Sequence, residues 1–162
     1  MPYVTHLFSV ALLVAEFGAD DYIVTAALLH DTLEDTDTTR EEIVTTFNER
    51  VALLVESVSE IKEKDGTKLD WKERKMHYLV RVEQASDGAV IIAIADKIDN
   101  IESKLEAYEK EGKKLLERWH QSTEDYLWYH GEALRIARAR LPEHRLTARL
   151  AEAHAKERET FL

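Results

Sequence analysis

Apolar residues recur every three or four positions along most of this chain, and polar or turn-forming residues separate the periodic blocks. This period places apolar side chains along one face of an α-helix, so the pattern predicts a helical protein. A polar stretch over residues 60–70 that includes a glycine is predicted to be a loop. We predict about eight helices, near residues 3–17, 21–33, 39–47, 50–58, 70–82, 89–101, 115–139 and 145–159.

Local signals predict where some of these helices begin and end. Thr39 precedes Glu42 by three residues, and Asp70 precedes Glu73 by the same interval. In such a capping box each side chain accepts a hydrogen bond from the other residue's backbone, which fixes a helix N-terminus. Gly18 follows the first periodic block and is predicted to end that helix.

The block 89–101 is apolar on nearly every face, which is typical of a helix at the centre of a bundle. Asp96 interrupts it, and a buried carboxylate is costly unless it is paired or bound to a cation. Asn100 lies one turn later on the same face and so points to the same place. The block therefore predicts a buried polar site on the central helix.

Amino-acid composition argues against some fold classes and excludes some kinds of functional site. The 162 residues suit one domain, and five Gly and two Pro are few turn formers for an all-β fold of this length. We therefore predict an all-α, single-domain helical bundle. The chain contains no cysteine, which excludes disulfides, thiolate metal sites and a cysteine nucleophile. Any metal ion must bind to His, Asp or Glu.

Charge and hydropathy indicate which partners to expect. The formal net charge of −10 would repel nucleic acid and anionic membranes, so we expect neither as a partner. The apolar runs are far shorter than the roughly 20 residues that span a bilayer. No basic region followed by an apolar one is visible at the N-terminus, so a cytoplasmic location is expected.

A second polar cluster follows the apolar run 23–29. His30 and Asp31 come directly after that run. Glu34 and Asp35 are predicted to lie one helical turn later, below them on the same faces. With the polar pair of the central helix, these groups are predicted to converge on one core, and imidazole and carboxylate groups are suitable ligands for a divalent first-row metal.

Each candidate ligand also has a purely structural interpretation. His6, among apolar residues of the first helix, could supply a further nitrogen or could be a satisfied core histidine. The pair of His30 and Asp31 could be a charge pair at a helix end, and Asp96 could pair with a buried Arg or Lys. One shared metal explains all of these positions, whereas the structural interpretations must each hold separately.

Three strings, in this order, resemble a known family. They are PYVTH (2–6), AALLHDTLEDT (26–36) and ADKIDN (95–100). Their histidines and aspartates resemble the H…HD…D signature of the HD superfamily of metal-dependent phosphohydrolases. More narrowly, they resemble the hydrolase domain of Rel/Spo-type alarmone enzymes and the small stand-alone alarmone hydrolases, over roughly residues 2–129.

The resemblance implies an HD-type domain over residues 1–162 that hydrolyses the 3′-pyrophosphate of guanosine tetra- or pentaphosphate. An HD-family hydrolase of another nucleotide or phosphate ester is the alternative, and a non-catalytic metal- or nucleotide-binding module is a second one. One divalent metal ion is implied, usually manganese in the alarmone branch, although iron, cobalt, nickel, zinc and magnesium suit the same ligands. The implied site consists of metal ligands His6, His30, Asp31 and Asp96, catalytic Glu34 and Asp35 acting on the attacking water, and nucleotide-contacting Asn100.

Two more residues are candidate substrate contacts. Lys97 follows a candidate metal ligand and could reach a phosphate or pair with a carboxylate. Tyr126 lies where the family often places a substrate-facing aromatic, although it could equally pack in the core. The basic residues within 60–75 form a candidate positive patch, or a solvated face because acidic residues are interleaved with them.

Leu7 replaces the Pro that usually follows the first ligand, a change that should be tolerated, and the chain departs from the family pattern at two further places. The Tyr-x-x-His element of the family normally follows a helix and a basic segment, whereas Tyr3 follows only Met1 and Pro2, so that helix is expected to be absent. Either the sequence is truncated or the protein binds its substrate differently. Asp99 stands where the family commonly has His or Tyr. Both departures bear on guanosine recognition and leave the candidate metal ligands complete. The charged helix near 145–159 could pack on the bundle or form a homodimer.

Overall fold

The structure is a computed structural model, and it describes residues 3–64 and 66–162. Most of the described chain is helical and only two two-residue strands are present in it, so the prediction of an all-α bundle is confirmed. A 3-10 helix, Gly112–Arg118, follows the seventh α-helix. In chain order the elements are α1 (Val4–Glu16), α2 (Asp21–Leu28), α3 (Thr32–Asp35), α4 (Arg40–Thr46), α5 (Glu49–Val58), β1 (Glu63–Lys64), β2 (Thr67–Lys68), α6 (Trp71–Gln84), α7 (Asp87–Glu111), α8 (Thr123–Arg140) and α9 (Arg145–Phe161).

Helix α7 is the centre of the bundle, as its apolar sequence predicts. It packs against α1, α2, α5, α6, α8 and α9. Ile92, Ile98 and Ile101 of this helix are fully buried, because packing partners surround it on every side. A side chain on α7 can therefore meet groups from several other helices at one point in the core.

The predicted local signals are confirmed. In both capping boxes the backbone N–H of the third helical residue donates to the cap side chain, from Glu42 to Thr39 and from Glu73 to Asp70. The glutamate side chain accepts from the cap residue's backbone in return. Gly18 has a φ of 81°, a left-handed conformation that suits the residue after a helix end.

Helix α2 is shorter than the periodicity predicts. It ends at Leu28, and a turn over residues 29–31 separates it from α3. The Nδ1 of His30 donates a hydrogen bond of 2.8 Å to the backbone oxygen of Ala27, and so takes the carbonyl that a continuing helix would have given to the next turn. The prediction of one continuous helix is therefore wrong for His30, which lies in the turn before α3. Asp35 does lie one turn after Asp31, because its backbone N–H donates to the Asp31 carbonyl at 3.0 Å.

The predicted helix over 115–139 is also wrong at its start. Gly112 ends α7 with a φ of 64°, and the 3-10 helix and a short extended segment follow before α8 begins at Thr123. The side chain of Ser122 accepts a hydrogen bond of 3.1 Å from the backbone N–H of Asp125 and caps this helix. This Ser-x-x-Asp spacing was a usable start signal in the sequence.

The polar segment between α5 and α6 is a loop, as predicted, but it carries a small hairpin. The two-residue strands β1 and β2 are antiparallel, with Glu63 opposite Lys68 and Lys64 opposite Thr67. Among the helices that the structure describes, none combines the length and apolar character needed to cross a membrane.

Candidate metal centre and its surroundings

A cavity of about 320 Å³ opens beside the middle of α7. Its walls come from α1, the turn after α2, α3, the end of α5 with the loop after it, α6, α7 and α8. Of the nine site residues predicted from the sequence, seven line it, namely His6, His30, Asp31, Glu34, Asp96, Lys97 and Asn100. The fold therefore brings together residues that are far apart in the sequence.

Three of these residues form a compact group of metal-ligating atoms. The Nε2 atoms of His6 and His30 are 3.3 Å apart. The Oδ1 atom of Asp96 lies 3.3 Å from the Nε2 of His6 and 3.9 Å from that of His30. All three ligand atoms lie within 4.8 Å of one another, and nitrogen and carboxylate donors in such a group fit a divalent first-row metal ion.

Asp31 lies at the edge of this group. Its Oδ2 atom is 3.1 Å from the Nε2 of His30 and 3.9 Å from the Nε2 of His6. The hydroxyl of Tyr3 donates a hydrogen bond to the same carboxylate oxygen. Asp31 therefore places an oxygen near the group from the side of α3, while Asp96 places one there from α7.

The second nitrogen of each imidazole is engaged away from the centre. The Nδ1 of His30 donates to the Ala27 carbonyl, and the Nδ1 of His6 lies 2.6 Å from the Oδ2 of Asp99. A proton on Nδ1 leaves the lone pair of Nε2 directed at the cluster, which is the form that binds a metal ion. The contact of Asp99 was not expected from the sequence, because it requires knowing that α1 packs on α7.

The charges of the cluster favour a cation. Burial disfavours a charged imidazole, but hydrogen bonds to Asp96 and Asp99 outweigh it and raise the pKa of His6 to about 10. Burial likewise disfavours the charged carboxylate of Asp96, but the neighbouring Lys97 ammonium and His6 hold the pKa of Asp96 well below its usual range. The same carboxylates that favour a protonated imidazole would stabilise a divalent cation, which would replace the Nε2 proton of His6 when it binds.

Lys97 is a buried part of the wall. Its ammonium donates to the Oδ2 of Asp96 and lies 4.9 Å from the ring centres of both Tyr78 and Tyr129. Burial opposes its charge, but Asp96 raises the pKa of Lys97 well above its usual range. The lysine is thus permanently charged and is first of all the counter-ion of Asp96.

The two candidate catalytic carboxylates differ in position. Glu34 lines the cavity, and its Oε1 accepts a hydrogen bond of 2.5 Å from the backbone N–H of Glu60. Burial raises the pKa of Glu34, so it can hold a proton more readily than an exposed glutamate. Asp35 is exposed, lies 3.7 Å from the Nζ of Lys62 and is not among the described residues that line the cavity.

The two candidate substrate contacts, Asn100 and Tyr126, also differ in position. Asn100 lines the cavity, and its side-chain N–H donates a hydrogen bond of 2.5 Å to the Oδ1 of Asp96. Tyr126 packs edge to face against Trp71 and Trp119, and the Lys104 ammonium lies 3.5 Å from the centre of its ring. It is not among the described residues of the cavity wall.

Sequence reasoning missed part of the wall. Lys75 of α6 lines the cavity and donates to the carboxylate of Glu60. Burial and the nearby Lys97 lower the pKa of Lys75. The sequence placed Lys75 in a basic segment, but periodicity alone could not tell which of its cations faces the core.

Comparison with known proteins gives a consistent picture. The HD domain family model matches residues 1–122. A guanosine-3′,5′-bis(diphosphate) 3′-pyrophosphohydrolase of Aquifex aeolicus is 41% identical over 117 residues, which are 70% of this chain and 16% of that protein. The guanosine-3′,5′-bis(diphosphate) 3′-pyrophosphohydrolases MESH1 of Mus musculus and Homo sapiens are each 42% identical over 102 residues, which are 62% of this chain. The chain thus spans about half the length, 54%, of these animal relatives.

Two solved structures share the fold over nearly the whole chain. The lmo0812 protein of Listeria monocytogenes superposes with a TM-score of 0.84 at 29% identity, covering 93% of this chain and 97% of that one. A metazoan ortholog of SpoT, described as hydrolysing ppGpp, superposes with a TM-score of 0.75 at 26% identity, covering 96% of this chain and 82% of the other.

Proposed function

The chain belongs to the HD domain family, and from this premise we propose that it is a metal-dependent phosphohydrolase. The proposed reaction is hydrolysis of the 3′-pyrophosphate of guanosine tetra- or pentaphosphate, with release of pyrophosphate. Relatives from bacteria and animals carry the name of this activity, which supports the choice of substrate. A same-fold hydrolase of another phosphate ester is the second candidate, since Asp99 departs from the family pattern.

The observation that carries the proposal is the group of His6, His30 and Asp96 in one cavity with Glu34. A purely structural cluster would need no extra carboxylate with a raised pKa beside it. A hydrolase needs such a group, because the attacking water must lose a proton.

The proposed metal ligands are His6, His30, Asp31 and Asp96, and the proposed ion is manganese. Their nitrogen and oxygen donors fit a divalent ion of intermediate hardness, although such ligands do not select sharply among these metals. When bound, the ion supplies polarisation of a phosphoryl oxygen and a lower pKa for a water molecule.

Glu34 is the proposed proton acceptor. The oxygen of water attacks the phosphorus attached to the 3′-oxygen, the bond between that phosphorus and the 3′-oxygen breaks, and pyrophosphate leaves. One proton of the water passes to Glu34, and the 3′-oxygen gains a proton to become a hydroxyl. Because burial raises the pKa of Glu34, it can hold the proton and then return it. Asp35 is proposed to assist from the exposed side of α3, close to Lys62.

The proposed substrate contacts are Asn100, Lys97 and Tyr126. Asn100 lies in the wall, where its free amide hydrogen can bind the nucleotide. Lys97 contributes positive charge from behind Asp96, and Lys75 adds a second cation to the wall. Tyr126 is set back in an aromatic cluster, so its contact stays a prediction. The cytoplasmic location and the homodimer also stay predictions.

The first experiment measures pyrophosphate release from guanosine tetraphosphate by the manganese-loaded protein and its Asp31→Ala variant. We expect turnover in the wild type and a fall to the metal-free rate in the variant. Glu34→Gln should lower the rate by about 10²- to 10⁴-fold, the usual contribution of a general base. Asp37→Asn removes an exposed charge from the same segment and should leave the rate unchanged.

The outcomes separate the candidate functions. A metal-loaded protein that releases no pyrophosphate but cleaves another phosphate ester would support the second candidate. A protein that binds guanosine tetraphosphate equally well with Glu34→Gln and Asp35→Asn, and cleaves no ester, would be a binding module.

A further inference from the structure

We infer that Asp99 is a positioning residue that holds the His6 imidazole in the orientation and tautomer needed for metal binding. The inference rests on the proposed metal site. It concerns position 99, at which the family pattern commonly has His or Tyr. This chain has Asp there, so a carboxylate supplies the support for His6.

The hydrogen bond of Asp99 is on the correct side of the ring. The Oδ2 of Asp99 lies 2.6 Å from the Nδ1 of His6. The Nε2 on the opposite side of the ring faces the cluster, 3.3 Å from the Oδ1 of Asp96 and 3.3 Å from the Nε2 of His30. Asp99 therefore orients a ligand and does not belong to the ligand group itself.

The Nδ1 atoms of His6 and His30 have hydrogen-bond acceptors of different kinds. The Nδ1 of His30 donates to a carbonyl of its own segment, that of Ala27, three residues earlier. The equivalent carbonyl for His6 belongs to Tyr3, and it accepts the backbone N–H of His6 at 2.9 Å. Because His6 lies in the first turn of α1, no earlier turn of the helix offers its side chain another acceptor. The acceptor comes instead from α7.

The position of Asp99 on α7 makes it a precise support. It lies three residues after Asp96, so the two carboxylates project from one face of the same helix. One therefore contacts the Nε2 side of the His6 ring and the other the Nδ1 side. Both are largely buried, with 16% of the Asp99 side chain and 11% of the Asp96 side chain exposed. The rigid helix thus sets the ring angle of a ligand that belongs to another helix.

The test is the affinity for Mn²⁺, measured by the electron paramagnetic resonance signal of the free ion during titration. Carboxylates that support a metal-bound histidine typically contribute 10- to 100-fold in affinity. We expect a loss of about this size in Asp99→Ala, and a smaller loss in Asp99→Asn, whose amide oxygen can still accept the hydrogen bond. Glu106→Gln removes the same charge two turns further along α7 and is the matched control. Its affinity should stay within about twofold of the wild type, because a distant exposed charge is screened.

A second readout separates positioning from damage to the fold. Pyrophosphate release by Asp99→Asn should recover when the Mn²⁺ concentration is raised, which a misfolded protein would not show. Affinities of Asp99→Asn and Asp99→Ala equal to that of Glu106→Gln would overturn the inference while leaving the proposed function standing. If Asp99→Ala does not fold, Asp99→Asn decides the matter. A wild-type protein that binds no divalent metal would overturn both proposals.

Discussion

Asp96 is the residue on which most of the site depends. Its Oδ1 accepts from Asn100 and faces His6, and its Oδ2 accepts from Lys97. The carboxylate is thus satisfied by neighbours before any ion arrives. This arrangement explains how a charged side chain that is only 11% exposed is tolerated on the central helix.

Asn100 gives a prediction at this scale. Asn100→Ala should raise the KM for guanosine tetraphosphate by up to about tenfold, the value of one hydrogen bond. The ion should stay bound at one per chain, because the four proposed ligands are untouched. Steady-state kinetics and metal analysis of the same sample test both parts. An unchanged KM would remove Asn100 from the substrate site, and loss of the ion would show that its support of Asp96 matters more.

The residues of the site differ in how far the sequence could predict them. Asp96 and Asn100 share a face because the helical period is fixed, and their hydrogen bond confirms that placement. The support of His6 by Asp99 depends on how α1 packs against α7, which periodicity does not encode. The surroundings of Tyr126 could not be predicted for the same reason, because aromatic residues lie on more than one face of α8.

At the scale of whole elements, helix starts that depend on neighbours in sequence were predictable. A helix end at which a side chain competes for a backbone carbonyl was not. The capping boxes at Thr39 and Asp70 involve neighbours in sequence and form as expected. The end of α2 depends on the His30 ring taking a backbone carbonyl, and no glycine or proline marks it. Because α2 ends there, His30 lies in a turn and Glu34 lies in the separate short helix α3.

Helices α8 and α9 are joined by a buried polar cluster that predicts a stability effect. Glu157 accepts from the Nδ1 of His130 at 2.8 Å and of His154 at 3.0 Å, and only 1% of Glu157 is exposed. In Glu157→Gln one histidine N–H would face an amide N–H, so unfolding should require about 1–3 kcal/mol less free energy. Urea denaturation measures this, with exposed Glu159→Gln as the unaffected control. Equal midpoints for the two variants would contradict the prediction.

The same cluster makes stability sensitive to acid. Burial lowers the pKa of His130 from 6.5 to about 4. Burial opposes the charge of Glu157, but the hydrogen bonds from both histidines lower its pKa from 4.5 to about 2. In both cases the unfolded chain binds protons more readily, so stability is present above the unfolded pKa and is lost as pH falls towards the folded one. The Tm should fall from pH 6.5 to 4, and below pH 4.5 less steeply in Glu157→Gln.

At the scale of the whole molecule, net charge works against the proposed substrate. The protein carries a formal charge of −10, and carboxylates outnumber lysines in the cavity wall. An anionic nucleotide is therefore repelled at long range and attracted only close to the ion and the wall lysines. The kcat/KM should rise a few-fold as salt increases from about 0.01 to 0.1 M, where the screening length falls from about 30 to 10 Å. Sucrose at equal osmolarity should have no such effect, and a falling kcat/KM would show that local attraction dominates.

The candidate metal-ligating group also makes the proposed activity depend on synthesis of the chain through α7. Its members come from residues 6, 30 and 96, and α7 must be packed among its neighbours before Asp96 meets the two imidazoles. A growing chain emerges N-terminus first, so Asp96 is synthesised more than sixty residues after His6 and His30. A product whose translation stops before α7 has no place for the ion and stays catalytically silent. Bound metal would thus distinguish folded protein that extends at least through α7 from shorter products.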